Sequence, residues 1–235
     1  MFRLFPTPIW FNSWDIAFGI VIFLVALLIA GYSWRIFRLH KENRFAYFAL
    51  AFIMIASSLF FKVMTNGVLY FQPIRDTAAN VLQPIATPNT LFADLFYRLG
   101  FFLEMAPMLG GLLLIYLVSQ KKRERLNKYY EVSQIALFIY LVLLISIVSN
   151  FTFFVFYLTS TVLLALIVLN YYKNYLNNSN KNTFKVMIAF LLGMFANIFF
   201  IFVFIWEGFY FFGETLLLIG FLILLITYNR IMRSK

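Results

Sequence analysis

Between Glu131 and Lys173 the chain carries no formal charge. As one straight helix at 1.5 Å per residue, this stretch would be about 60 Å long, twice the hydrocarbon thickness of a bilayer. It must fold back on itself, and Ser149-Asn150-Phe151-Thr152 supplies the polar break near its centre. Across all 235 residues, 63% are hydrophobic and only 12% charged. A globule of that size cannot keep so much apolar surface from water, so the solvent for most of it must be lipid.

The same length argument divides the rest of the chain. It predicts an all-α polytopic membrane protein with seven transmembrane helices in a single domain over residues 1–235. The spans fall at about 16–37, 45–65, 95–119, 132–149, 152–172, 184–206 and 209–229, with Glu207-Gly208 as the turn between the last two. The longest connection, 66–94, contains Pro73, Pro84 and Pro88. Its stretch 74–82 suits a short helix with Pro73 at the first position.

Orientation follows from lysine and arginine. Fifteen of the 19 basic residues fall in the loops after spans one, three and five and in the C-terminal tail. Only Arg3, Lys62, Arg75 and Arg98 belong to the other side. The N-terminus is therefore expected outside and the C-terminus in the cytoplasm, most simply in the plasma membrane. The charge of +10 reads as a topology signal with attraction to anionic lipid, not as a nucleic-acid surface. Trp10 and Trp14 suit headgroup depth. The first apolar run is too long for a secretory signal, and its basic residues follow rather than precede it.

Spans one to three and five to seven share a direction, which allows a 3+1+3 parallel repeat. At an offset of 139, Leu27, Tyr32, Phe45 and Phe60-Phe61 meet Leu166, Tyr171, Phe184 and Phe199-Phe200. At an offset of 110, Phe101-Phe102-Leu103-Glu104 meets Phe211-Phe212-Gly213-Glu214, and Gly110 meets Gly220. The threading resembles that of the 3+1+3 small-sugar carriers, although their proline-glutamine signature is missing here.

The candidate site is a polar layer within the spans: Glu104, Glu214, Lys62, Asn197 and Ser58. Counted from the cytoplasmic helix ends, Glu104, Glu214, Lys62 and Asn197 lie roughly 20–26 Å up, in the outer half of the membrane. A charge near mid-bilayer costs at least about 2.5–3.5 kcal/mol, so these groups must face inward, pair or contact water. Ser58, Lys62 and Asn66 form a stripe at i, i+4 and i+8, and Lys62 is the natural partner for one glutamate. If the repeat holds, Glu104 and Glu214 face each other across a pseudo-two-fold axis. Pro107, with Gly110 and Gly111, marks a kink or hinge beside Glu104. Of Thr159, Ser160 and Thr161, at least two are expected to bond back to their own helix. Asp15, Asp76 and Asp94 are placed at or outside the interface.

Several functions are excluded or disfavoured. The absence of cysteine removes thiol chemistry and disulfides, and one histidine disfavours a histidine-built metal site. The last span has no lysine for a retinal Schiff base, and H-E-x-x-H, G-x-S-x-G and Walker patterns are absent. No cofactor and no enzymatic activity are expected. The favoured expectation is a small-solute or proton-coupled carrier. A receptor acting through a cytoplasmic protein partner and a structural subunit are the alternatives. Beyond membrane lipid, the expected ligand is a small molecule or a proton.

Overall fold

The computed structural model of the protein describes residues 7–71, 73–74, 92–120 and 153–233. Over these residues it is built from helices. They are α1 (Asn12–His40), α2 (Asn43–Tyr70), α3 (Phe92–Ser119), α4 (Phe153–Asn178), α5 (Lys181–Ile201) and α6 (Gly208–Arg233), with 3₁₀ turns at Ile9–Phe11 and Phe202–Phe204. Among the described residues six helices are long and apolar enough to cross a membrane, and the chain is a multi-pass integral membrane protein. The expected span at 132–149, the break at 149–152 and most of the 66–94 connection lie outside the described residues. Within that connection α2 continues to Tyr70, and Pro73 and Ile74 are helical.

Helices α1, α2 and α6 overrun their apolar windows at both ends, α3 at its N-terminal and α4 at its C-terminal end, while α5 stops at Ile201 and passes into the 3₁₀ turn Phe202–Phe204, short of the expected 206. Hydropathy falls where a helix enters the headgroup region, but the backbone still prefers internal hydrogen bonds there. Two connections are minimal. After α1, Lys41 takes φ 52° and its N–H bonds the Phe37 carbonyl; after α4, Ser179 takes φ 46° and bonds Tyr175. Each is a left-handed residue closing a helix C-terminus, and each is followed by one extended residue that opens the next helix.

Each helix packs on its neighbours in chain order, and α6 returns to pack on α1, so the six enclose a ring. The ring is closed by Phe11 against Tyr210 at one end and by Phe48 stacked on Tyr228 at the other. We call the latter the basic end, because Arg44 and Lys185 lie near it on the first turns of α2 and α5. Helices α3 and α4 run parallel. Phe101 packs on Phe153 near their N-termini, and Asn170 donates to Ser119 near their C-termini.

Apolar side chains point both ways. Phe52, Ile55, Leu59, Phe101, Met105 and Ile167 are buried in the core, while Leu24, Leu28, Ile53, Val162, Leu169 and Ile226 are exposed on the outside. Outside and inside are equally oily, so helix association rests on close packing rather than on escape from water. Small residues make it possible. A Cβ on Gly111 would sit 2.8 Å from the Ala51 carbonyl of α2, and one on Gly220 would sit 2.9 Å from the Ala189 carbonyl of α5.

These two contacts, and the two left-handed turns, recur at spacings that differ from the side-chain matches. Ala51 and Ala189 are 138 positions apart, as are Lys41 and Ser179, while Gly111 and Gly220 are 109 apart. Each value is one less than the offset that aligns the Phe-Phe pairs. In the register of the backbone contacts Glu104 corresponds to Gly213, and Glu214 to Met105. One residue is about 100° of helix rotation, so the two glutamates have non-equivalent surroundings.

Candidate functional site

The site grows from one face of α2. Ser58, Lys62, Asn66 and Tyr70 recur every four residues, which stacks them along the helix. Lys62 is 8% exposed and donates to the Glu214 carboxylate, which is 0% exposed, on α6. Lys62 Nζ also lies 3.8 Å from Asp15 Oδ1 on α1. The same ammonium sits over the Phe200 and Tyr210 rings, 5.8 and 5.5 Å from their centroids. This answers the cost of burying a charge, because Lys62 has two carboxylates and two π faces around it.

Asp15 is the hub towards the end of the bundle opposite the basic end. Asn66 Nδ2 donates to its Oδ2 at 2.7 Å and the Tyr70 hydroxyl to the same oxygen at 3.1 Å. The Tyr210 hydroxyl donates to Oδ1 at 2.8 Å. Thr7 extends the chain, 3.5 Å from the Tyr70 hydroxyl and 3.2 Å from Asn12 Oδ1. Asp15, expected at or outside the interface, is 1% exposed and so packed within the bundle at that helix end. It sits in the first turn of α1, where hydropathy suggests headgroup contact. The ring closure of α1 on α2 and α6 buries it instead.

Glu104 is placed differently. Its backbone carbonyl accepts from Ser58 Oγ at 2.6 Å, while its carboxylate has no hydrogen-bond partner among the described residues. Helix α3 runs unbroken through Pro107, which is half-buried. Pro107 has no N–H to give the Leu103 carbonyl. The neighbouring Glu104 carbonyl takes the bond from Ser58.

Inside the ring lies a cavity of about 70 Å³, lined by residues of α2 to α6. Its polar lining is Lys62, Glu104, Tyr157, Ser160 and Asn197, and the rest is apolar or glycine. Thr159 and Thr161 bond back to the Val155 and Tyr157 carbonyls as expected, which leaves Ser160 as the hydroxyl facing the space. Ser160 Oγ is buried without a hydrogen-bond partner. Asn197 gives its Nδ2 to Gly193 of its own helix at 2.8 Å, so its Oδ1 remains to accept.

The structure thus brings Lys62 and Glu214 into one ion pair and Lys62, Glu104 and Asn197 around one cavity. Ser58 and Glu214 do not line that space. Ser58 is committed to the Glu104 backbone, and Glu214 is sealed behind Lys62. Gly111 belongs to the α2–α3 contact, and Gly110 is buried beside it in α3. Sequence reasoning missed Asp15, Tyr70 and Tyr210. Continuing the α2 stripe one more step to Tyr70 was the available signal; nothing local marks Tyr210.

Among the described residues the buried charges are three carboxylates, Asp15, Glu104 and Glu214, and one cation, Lys62. No group of histidine, cysteine, aspartate and glutamate among the described residues has the spacing to hold a metal. No family model, curated protein or solved structure matches the chain.

Proposed function

We propose that the protein is a small carrier of the plasma membrane whose transport cycle moves positive charge, as protons or with solute, through the Lys62–Glu104 cavity. The observation that carries this reading is the charge balance of the interior. Among the described residues three buried carboxylates face one ammonium, and uncompensated charge in a low-dielectric interior costs several kcal/mol. A proton or a cationic solute entering beside Glu104 removes that cost. The row Thr7, Tyr70, Asp15 and Lys62, joined by hydrogen bonds as far as Asp15 and by an ion pair of 3.8 Å from Asp15 to Lys62, supports a route for protons from one end of the bundle to the cavity. No bond-making chemistry is required of any residue, and the reading is of a non-enzymatic protein without cofactor.

The proposal includes seven crossings with the N-terminus outside. Parallel α3 and α4 support a return crossing between them, since the chain leaves α3 at the basic end and enters α4 at the other. The recurrence of the left-handed turns and the glycine–carbonyl contacts supports a 3+1+3 repeat, with the two glutamates at non-equivalent positions in it.

The test is flux. Purified protein in liposomes should dissipate an imposed pH gradient, alone or with a solute present, and Glu104→Gln and Glu214→Gln should each lose most of that flux. Unchanged flux in both folded variants would reject the carrier reading.

A further inference from the structure

We infer that the central cavity binds a small organic cation, with Glu104 as its counter-ion. The inference deepens the carrier reading, on whose cavity it rests. Its first support is the balance of donors and acceptors. Lys62 is turned to Glu214 and Asp15. Besides the Tyr157 hydroxyl, the polar lining among the described residues is then three groups: the Glu104 carboxylate, which takes no hydrogen bond there, Asn197, whose Oδ1 takes none, and the buried, unpartnered hydroxyl of Ser160. A ligand that satisfies these three brings hydrogen-bond donors and positive charge.

The second support is the aromatic lining. Phe52, Phe156, Tyr157, Phe190, Phe200 and Phe221 all contribute to the wall. Aromatic faces attract cations, and Phe200 already does so with the Lys62 ammonium. An anionic ligand fits neither feature, because it would meet Glu104 and the negative faces of the rings.

Size sets the class. At about 10–15 Å³ for each water-sized group, the cavity of about 70 Å³ takes about five to seven non-hydrogen atoms. Primary alkylammonium ions of two to four carbons and tetramethylammonium meet this limit. The ammonium would be held by Glu104, with Ser160 and Asn197 accepting its remaining N–H groups and the alkyl part against Leu59, Met108 and Leu164.

The test measures binding to the full-length protein in nanodiscs by calorimetry, with ethylammonium, tetramethylammonium, acetate and ethanol as probes. Saturable binding of both cations, and of neither acetate nor ethanol, is expected in the wild type. Glu104→Gln should weaken both cations tenfold or more. Ser160→Ala should weaken ethylammonium severalfold and leave tetramethylammonium unchanged, because the quaternary ion has no N–H to donate. Ethylammonium should also shield Glu104 of the wild type from a hydrophobic carbodiimide, a readout that needs no variant. Binding of acetate in place of the cations, or of ethanol as tightly as ethylammonium, overturns the inference. Absent cation binding with proton flux intact overturns it and leaves the carrier reading standing. Cation binding without any flux sustains the site and removes the carrier.

Discussion

Lys62 of α2 and Glu214 of α6 are 152 positions apart in the chain and form a buried ion pair inside the helical ring. Removing one partner leaves the other charge buried, which in protein interiors costs about 3–5 kcal/mol. Lys62→Met and Glu214→Gln are each expected to lower stability by an amount of that order. The double variant should recover a large share of the loss. Reversible unfolding in bicelles measures the cycle, and strictly additive losses would contradict the pairing.

Gly111 and Gly220 hold helix backbones in contact, with carbonyl oxygens 2.8 and 2.9 Å from where a Cβ would stand. Alanine at either position must push two helices apart, a strain of about 1–3 kcal/mol. Gly31 and Gly67 have open space at the same point. Alanine there is expected to be neutral or stabilising by up to about 1 kcal/mol. Thermal melts of the four variants should separate into these two pairs.

Lys41 and Ser179 occupy left-handed backbone at φ 52° and 46°. That conformation costs most side chains about 1–2 kcal/mol and costs glycine little. Lys41→Gly and Ser179→Gly should raise the melting temperature, and Ser179→Val should lower it. A fall on glycine substitution would show that the turns are not held in this conformation.

The chain has no cysteine, so single introduced thiols report sidedness without background. With the proposed orientation, Glu207→Cys, exposed in the turn before α6, should react with an impermeant maleimide on intact cells. Ser179→Cys should react only after permeabilisation. The reverse pattern would invert the topology.

The Tyr210 hydroxyl is one of three donors that hold Asp15. Tyr210→Phe leaves a buried carboxylate oxygen short of a donor, with an expected loss of about 1–3 kcal/mol. Tyr228→Phe, where ring stacking on Phe48 is the contact, should cost less. Equal losses in the two variants would argue against Asp15 as the hub.

Hydropathy and charge placement determined the solvent, the helical class and most helix positions, because each depends on a local count of apolar and basic residues along the chain. The same local logic made Lys62 a partner for a glutamate and expected at least two of Thr159, Ser160 and Thr161 to bond back to their own helix. Which glutamate pairs with Lys62, the burial of Asp15 and the cavity facing Glu104 were decided only by tertiary structure. A one-residue change of register turns a side chain by about 100°, and only the packing of neighbouring helices sets that angle. Two glutamates in matching sequence contexts were therefore directed to different surroundings, one into an ion pair and one towards an open space.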